Sequence, residues 1–557
     1  MKSKKAVSLK RKPSAQDSLG VIALTCEYQS NPLGIDVRVP RLGWQIVATR
    51  CNCLQKSYRI LVATHPDRLQ AETGDLWDSG RVDSEASTQV EYQGKSLPSG
   101  VRAYWTVKVW DRAGGESGWA PAAWFEMGLL NPEDWTSRWI AIAAEDQSSA
   151  HAAPFFRKSF SARSKILSAR AYVCGVGYHE LYLNGQRVGD HVLDPGFTRY
   201  DKRLLYVTHD VTALLAPGQH VAGVILGNGF YNNLEKDVWQ FYTSVWKSTP
   251  ALRMQIHISY HDGTQDVWNT DSSWQVNDRG PIVFNSVRCG EKYDARKELG
   301  DWTGRSGSVV GWSLAREVEG PQGRLTAQMM PPIRVLKAIR PVSVKKVAAQ
   351  TYQFDMGQDI AGWAKLTVKG MAGTQIRLEY GDRRTPDGRL DRSNYEVLVT
   401  ECEVQVDTYT LKGNGVESWE PRFTYHGFQW VEVTGLPSRP TLDTLCGYVV
   451  GTDFERAGSF ECSHPLLNWI QTASEWSYIG NYHSIPTDCP HREKNGWTGD
   501  GHLAVEMGLY NYRSLAAYEK WMDDFSDAQR EDGNLPAIVP TSGFHWGYDT
   551  WNGACWD

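Results

Sequence analysis

Hydrophobic residues recur at two different periods along the chain, and the period changes after Gly451. Before that point apolar and polar residues alternate, as in AYWTVKVWDRAGGESGW (103–119), where Trp105 and Val107 share one face. Alternation of this kind is typical of a half-buried strand, and the glycine pair that follows favours a hairpin turn. The first four fifths of the chain are therefore predicted to be rich in β-strands.

Two β-sandwich domains are predicted in the first part of the chain. PRLGWQIVA and KSYRILVAT share the alternation of residues 103–119, so residues 20–128 are expected to form a fibronectin type III-like sandwich. In ELYLNGQRVGD (180–190), two short strands flank Asn-Gly, the pair that a tight type I′ turn prefers. The strands around it predict a jelly-roll-like sandwich over residues 132–328.

A third β unit is predicted after a short linker. MMPPIR (329–334) contains paired prolines, which cannot lie in a central strand, and it is interpreted as the linker. AKLTVKGMAGTQIRLEYGD and HGFQWVEVTG then return to strand-like alternation. Residues 334–445 are therefore expected to form another β-sandwich domain.

Helical spacing replaces alternation in residues 446–557. HPLLNWIQTASEWSYIGNY (464–482) and SLAAYEKWMDDFSDAQR (514–530) are predicted to be amphipathic helices. The residues expected on their apolar faces include Leu466, Ile470, Tyr518 and Phe525. Between them, TDCPHREKNGWTGDG (487–501) is rich in proline and glycine, so it is predicted to be a loop.

Charge and composition exclude several classes of protein. A formal charge of -5 gives no basic field for phosphate backbones, so nucleic acid is not expected as a partner. No apolar stretch is long enough for a membrane helix. Residues 1–19 are predicted to be a disordered N-terminus without a signal peptide, which favours the cytoplasm; an incomplete N-terminus would leave a periplasmic or secreted protein open. The 10 cysteines are expected to be reduced and mostly buried.

Aromatic residues are abundant, with 24 Trp and 25 Tyr. Any single indole is best explained as ordinary core, but carbohydrate sites also use flat rings as stacking platforms. This composition raises a carbohydrate hypothesis without deciding it.

The loop at 487–501 concentrates charged residues. Asp488, Glu493 and Asp500 cannot all be ionised and close together in a dry pocket unless Arg492 and Lys494 neutralise them. One carboxyl that keeps its proton among ionised neighbours is what glycosidic cleavage requires, together with a second carboxylate for water or the anomeric carbon. Trp497 could supply a flat apolar wall.

Other interpretations of these residues remain open at this level. The simplest is a solvated charged turn with one buried Trp. A metal site at His483, Cys489 and His491 lacks a recognised ligand spacing, so no metal is expected. A Cys489 nucleophile lacks a separate group to orient the histidine. A sugar-binding module without catalysis would share the aromatic residues.

The run DCPHREKNGWTGD (488–500) resembles the signature of the bacterial α-L-rhamnosidases of glycoside hydrolase family 78. Segments similar to that family also occur in the expected order at 31–46, 181–211, 354–366 and 547–557. The resemblance implies β-sandwich domains followed by an (α/α)6 barrel that removes terminal α-L-rhamnose with inversion. A rhamnose-containing glycoside or polysaccharide would be the substrate, with no cofactor. An inverting (α/α)6 glycosidase of other sugar specificity and a non-catalytic carbohydrate-binding protein are the alternatives.

The family pattern assigns roles by position. Glu493 would be the general acid, and Trp497 would line the sugar pocket. The residues expected to bind the sugar are Asp488, Arg492, Trp497, Asp500 and, from a later motif, Trp556 and Asp557. The run YHGFQW (425–430) departs from the pattern, where a shorter aromatic strand end is expected.

The helical region departs from the family in length. A barrel of twelve helices, each of about 10 to 14 residues, needs more than twice the length of the segment 446–557. The chain is therefore expected to be an N-terminal part that lacks the family's general base, and the 557-residue chain alone is expected to be inactive. Its uncovered helical faces would favour self-association into a homo-oligomer, and limited proteolysis is expected to cut first after about residue 450.

Overall fold

A computed structural model describes residues 19–544 of the chain. The chain forms two compact units, one ending at Asn131 and the other starting at Pro132. The predicted disordered N-terminus, apart from Leu19, lies outside the described residues. Within the described part, none of the helices is both long and apolar enough to span a bilayer.

The first unit contains two sheets that pack face to face. Trp44 of one sheet contacts Tyr58 of the other, with ring centroids 5.2 Å apart, and both side chains are buried. Trp105 and Val107 are fully buried, which confirms the predicted strand and its inner face. One sheet has the order Leu19–Cys26, Arg41–Ala48, Val90–Glu91; the other has Leu33–Ile35, Ala123–Met127, Arg102–Asp111, Gln55–Ala63, Trp77–Asp78, with Val82–Asp83 also on Gln55–Ala63.

The second unit begins with a β-sandwich whose two sheets share one apolar core. Ile256 of the first sheet and Val224 of the second belong to the same buried cluster. The predicted hairpin is confirmed, because Leu183 pairs with Gln186 across Asn184-Gly185. The first sheet has the order Arg316–Val318, Trp139–Ala141, Leu252–Tyr260, Ile166–Gly175, Arg203–Asp210, Arg324–Ala327, with Gln265–Asn269 on Leu252–Tyr260; the second has Gln186–Arg187, Tyr178–Leu183, Gly218–Gly227, Phe155–Ala162, Gln275–Asn277, Ser313–Leu314.

The third sheet of this unit draws on residues far apart in sequence. The hairpin Ile282–Ser286 and Gly290–Asp294, which the sequence places in the preceding sandwich, pairs instead with this sheet through Val406–Thr410. The segment between its strands, residues 287–289, is thereby held at the sheet's edge. The described strands follow the order Ile282–Ser286, Gly290–Asp294, Val406–Thr410, Gln375–Gly381, His426–Thr434, Thr351–Lys369, Leu445–Thr452, Ile333–Ile339, with Ser343–Ala348 and Val416–Trp419 also on Thr351–Lys369.

The prediction of a linker at residues 329–334 holds for Pro331 and Pro332 but not for the residues that follow them. Pro331 and Pro332 lie outside the strands, but Ile333 begins a strand and pairs with Thr452. The pairing is possible because the prolines end before the hydrogen-bonded ladder starts.

Helix α1 (Pro66–Gln70) belongs to the first unit, and the remaining described α-helices lie at the end of the second. These are α2 (Pro465–Gly480), α3 (Thr498–Asn511) and α4 (Leu515–Ala528). The sequence predicts α2 and α4 but places the start of α3 in a loop.

The predicted apolar faces of α2 and α4 differ in their exposure. Leu466 and Ile470 of α2 are 55% and 45% exposed. Tyr518 and Phe525 of α4 are buried, and Phe525 packs against Trp521 with ring centroids 4.9 Å apart. The expectation of an uncovered apolar face therefore holds for α2 and is wrong for α4.

The cysteines are not all reduced. Cys289 and Cys402 form a disulfide, so the expectation of free thiols is wrong for this pair. Among the free cysteines of the described residues, Cys26 and Cys174 are buried whereas Cys51 is exposed. The two bonded residues are 113 positions apart, a separation that spacing alone could not connect.

Candidate active site

The segment between α2 and α3, residues 481–497, is called the site loop. Tyr482 and Pro486 form an isolated β-bridge within it, and the N–H of Thr487 donates to the carbonyl of Asn481 at 2.7 Å. These contacts reverse the chain directly after α2. The loop therefore begins from a fixed point on the helical scaffold.

The predicted loop is too long at its C-terminal end. Thr498 begins α3, so Gly499, Asp500 and Gly501 are helical. Gly501 packs so closely on Trp521 that a Cβ atom there would lie 2.2 Å from the indole ring. Glycine disfavours a helix intrinsically, but this close approach of α3 to α4 requires it.

Asp488 and Asn495 close the central part of the site loop. The N–H of Asp488 donates to the carbonyl of Asn495 at 3.1 Å, and the N–H of Asn495 donates to Oδ1 of Asp488 at 3.0 Å. The N–H of Glu493 also donates to Sγ of Cys489 at 3.5 Å. Glu493 is thus presented on a short closed turn with few conformational options.

The carboxylate of Glu493 is held on one side by an indole. Nε1 of Trp497 donates to Oε2 at 2.8 Å, and Nε of Arg492 lies 3.8 Å from Oε1. The side chain of Glu493 is 17% exposed. One carboxylate oxygen is therefore fixed, while the group stays within reach of a bound molecule.

Asp488 is the carboxyl of the site loop with the clearest change in proton affinity. Burial raises its pKa to about 10, with further contributions from Cys489 and Glu493. Removal of water disfavours the charged form, and neighbouring negative charge adds to this effect. Asp488 therefore keeps its proton at neutral pH and can donate a hydrogen bond while accepting one from Asn495.

Lys494 does not neutralise these acids, contrary to one option in the sequence argument. Its backbone lies in the left-handed region at φ 56°, and Nζ donates to the carbonyls of Val287 at 2.6 Å and Tyr425 at 2.5 Å. Burial, followed by the charge of Arg288, lowers its pKa to about 7. The lysine anchors the site loop to the β domains instead.

Arg288 also reaches the site loop from the β domains. Its Nη2 donates to Oδ1 of Asn495 at 2.6 Å. Neither role was predicted from the sequence. Arg288 lies outside the signature, some 200 residues upstream, and Asn495 lies inside it but has no role assigned by the family pattern. The run YHGFQW, which departs from the family pattern, also contacts the site loop: the carbonyl and the ring of Tyr425 both lie against Nζ of Lys494.

The structure brings Asp488, Arg492, Glu493 and Trp497 together in the site loop, whereas Asp500 lies beyond that loop, in α3. Asp500 is exposed in the first turn of α3. Trp556 and Asp557 lie outside the described residues.

The two histidines of the site loop pack against aromatic rings. His483 stacks on Tyr425 with ring centroids 4.0 Å apart, and burial lowers its pKa to about 3. His491 contacts the ring of Tyr395. No group of three or more His, Cys, Asp or Glu side chains is arranged to hold a metal ion within residues 19–544. In that part of the chain, no hydrogen bond joins Cys489 to His491 either.

Comparison with protein families divides the chain into four matched segments. Residues 21–131 match an N-terminal immunoglobulin domain of the Rha78A type, and residues 164–337 match an α-L-rhamnosidase N-terminal domain. Residues 345–451 match a concanavalin-like domain and residues 455–557 a six-hairpin glycosidase domain, both of bacterial α-L-rhamnosidases.

Individual relatives are similar over nearly the whole chain. An α-L-rhamnosidase of Formosa agariphila is 37% identical over 544 residues, which cover 93% of this chain and 56% of the relative. The structure of an α-L-rhamnosidase from Dictyoglomus thermophilum matches 97% of this chain and 61% of its own, with 36% identity and a TM-score of 0.89. That of Streptomyces avermitilis α-L-rhamnosidase, complexed with L-rhamnose, matches 94% and 66%, with 27% identity and a TM-score of 0.88.

The chain spans about half the length of the curated relatives it matches, at 56% and 55% for two of them. The matched segments follow one another from the immunoglobulin domain to the glycosidase domain, and the site loop lies within the last. The chain belongs to the bacterial α-L-rhamnosidase family.

Proposed function

We propose that the protein hydrolyses glycosides that carry a terminal, non-reducing α-L-rhamnose, and that the site loop holds the sugar and supplies the acid. The observation that carries this proposal is the indole of Trp497 fixed on Oε2 of Glu493, close to Asp488, whose pKa burial raises. Glycosidic cleavage needs a positioned carboxyl group to protonate the leaving oxygen, and the contact with Trp497 orients Glu493 for this task. Membership of the α-L-rhamnosidase family supports rhamnose as the sugar.

Each of the predicted site residues has a defined task in this proposal. Because the indole occupies Oε2 of Glu493, the proton for the leaving oxygen is carried on Oε1. Asp488 and Arg492 bind sugar hydroxyls, Asp488 as a donor while it is neutral. The partly exposed ring of Trp497 supports the apolar face and methyl group of the 6-deoxy sugar. Asp500, Trp556 and Asp557 complete the hydroxyl contacts and the pocket wall.

The surrounding architecture is part of the same proposal. Helices α2, α3 and α4 form the beginning of an (α/α)6 barrel, with the site loop at one end of it. The match of residues 455–557 to a six-hairpin glycosidase domain supports this arrangement. The sandwich preceding residue 328 is jelly-roll-like, and the first unit is a fibronectin type III-like variant of the immunoglobulin fold.

The reaction is proposed to invert the anomeric centre. An inverting enzyme holds its second carboxylate roughly 6.5 to 9.5 Å from the acid, so that a water molecule fits between that base and the sugar. The water attacks the face opposite the leaving group, and Glu493 protonates the departing oxygen. β-L-rhamnose is then the first product.

Proton NMR during early turnover of an aryl α-L-rhamnoside tests this proposal, using the protein expressed from its whole gene. The β anomer is expected to appear first and the α anomer later, by mutarotation. The initial appearance of the α anomer would indicate a covalent, retaining route and contradict the proposal. Binding of L-rhamnose without any turnover would favour a carbohydrate-binding protein instead.

A further inference from the structure

Arg288 lies in the segment between Ile282–Ser286 and Gly290–Asp294, and its side chain is fully buried. Three aromatic rings surround the guanidinium at centroid distances of 5.0 to 5.2 Å: Phe230, Trp239 and Phe241. A planar guanidinium stacks well on such rings and projects its N–H groups from the edge of the plane.

The N–H groups of Arg288 connect two different parts of the molecule. Towards the site loop, Nε donates to the carbonyl of Glu493 at 3.2 Å and Nη2 to Oδ1 of Asn495 at 2.6 Å. On the other side, Nη1 donates to Asn233 at 3.2 Å and lies 3.8 Å from the buried carboxylate of Asp237. The carboxylate of Asp237 balances the charge of the guanidinium.

Asn495 connects Arg288 to the residues proposed to act on the sugar. Its main-chain N–H donates to Asp488, and its carbonyl accepts from the N–H of Trp497 at 3.0 Å. Trp497 in turn holds the carboxylate of Glu493. The amide of Asn495 and the carbonyl of Glu493 are the two points of the site loop that Arg288 fixes.

The segments that surround Arg288 are held in place by a disulfide and by main-chain hydrogen bonds. The adjacent Cys289 is joined to Cys402 by the disulfide, and its carbonyl accepts from the N–H of Val406 at 3.1 Å. The N–H of Val238, beside Trp239 in the aromatic pocket, donates to the carbonyl of Leu398 at 3.0 Å. The arginine is therefore presented from a rigid part of the β domains.

We propose that Arg288 is a positioning residue for the glycosidase reaction: it sets the site loop so that Glu493 reaches the leaving oxygen. The proposal rests on the proposed function. A lysine at this position keeps the charge but cannot make the two fixed bonds to Glu493 and Asn495 at once, because an ammonium lacks the planar fork. A misplaced acid slows cleavage of a poor leaving group more than that of a good one, which needs little protonation.

The test compares Arg288→Lys with the wild type in the protein expressed from its whole gene. The measured quantity is the ratio of kcat/KM for an alkyl α-L-rhamnoside to kcat/KM for an activated aryl α-L-rhamnoside. This ratio is expected to fall by about 10- to 100-fold, which is part of the roughly 10²- to 10⁴-fold that a well-placed general acid contributes. An unchanged ratio would overturn the proposal. A partial loss of folded enzyme lowers both rates equally, so it does not alter the ratio.

Arg157→Lys is the matched control. Arg157 is a buried arginine of the preceding sandwich, and its guanidinium donates to the carbonyls of Trp302 at 2.7 Å and Gly304 at 3.3 Å. Its replacement is expected to leave the ratio unchanged. Asn495→Ala removes the acceptor from the loop side and should repeat the Arg288 result if Arg288→Lys fails to fold.

A second readout does not depend on activity. In protein labelled with 5-fluorotryptophan, the fluorine NMR signal of Trp497 is assigned by its loss in Trp497→Phe. Arg288→Lys or Asn495→Ala is expected to shift or broaden this signal, whereas Arg157→Lys is not. An unmoved signal overturns the positioning role. If the wild type hydrolyses neither rhamnoside, the proposed function fails, while the fluorine signal still decides whether Arg288 positions the loop.

Discussion

Replacement of Glu493 by glutamine is expected to lower kcat/KM for alkyl α-L-rhamnosides by about 10²- to 10⁴-fold, the usual contribution of a general acid. The amide oxygen of glutamine can still accept the hydrogen bond that Trp497 donates to Oε2, so the geometry of the site loop is retained. Only the transferable proton is lost. Activated aryl rhamnosides, whose leaving groups need little protonation, are expected to be affected much less.

Steady-state kinetics on both substrate classes measures this difference. Glu506→Gln is a suitable control, because Glu506 is an exposed glutamate on α3 outside the site loop. Equal losses on the two substrates would mean that Glu493 is not the acid. A stronger dependence on the leaving group in Asp488→Asn than in Glu493→Gln would assign that role to Asp488, whose pKa the structure raises.

Replacement of Asp488 by asparagine is expected to stabilise the fold at neutral pH although it removes a proposed binding residue. The folded-state pKa of Asp488, about 10, lies far above the value near 3.9 of an exposed aspartate. Above about pH 4 the unfolded chain releases this proton while the folded protein retains it, so wild-type stability falls through this group as the pH rises towards 10. Asparagine mimics the neutral carboxyl and avoids this loss.

The advantage of Asp488→Asn should therefore grow with pH, by up to about 1.4 kcal/mol in the free energy of unfolding per pH unit. Differential scanning calorimetry at about pH 5 and about pH 8 measures the Tm difference from the wild type. Asp146→Asn, at an exposed position, is the control and should show no such trend. A variant that is less stable at both values would indicate that Asp488 is ionised in the folded protein.

Local sequence patterns predicted the elements that are determined locally. Alternation predicted the strand Arg102–Asp111. The Asn184-Gly185 pair predicted the separate hairpin that pairs Leu183 with Gln186, because few residues adopt the backbone of that turn. Helical spacing found α2 and α4. The start of α3 was missed because Gly501 is required by contact with Trp521, on another helix.

Long-range pairing could not be predicted in the same way. The hairpin at 282–294 joins the third sheet through Val406–Thr410, more than a hundred residues later, and the alternation of a strand does not specify its partner. The disulfide between Cys289 and Cys402 is equally non-local. The strand pairing and the disulfide together place Arg288 beside the site loop.

The candidate site was predicted where the signature is contiguous. Asp488, Arg492, Glu493 and Trp497 lie close in sequence, so one closed turn brings them together. The direction of Lys494 was not predictable, because it depends on a left-handed backbone and on two carbonyl acceptors elsewhere in the chain. Nor could the sequence tell which carboxyl keeps its proton, since burial decides that.

The central claim is that the site loop binds α-L-rhamnose with Glu493 at the glycosidic oxygen. A crystal structure of the Glu493→Gln protein, expressed from its whole gene and bound to an intact alkyl α-L-rhamnoside, tests it most directly. The account predicts the glycosidic oxygen within hydrogen-bond distance of the residue 493 side chain, the sugar against Trp497, and its hydroxyls on Asp488 and Arg492. A sugar bound away from the site loop, or a glycosidic oxygen out of reach of residue 493, would contradict it.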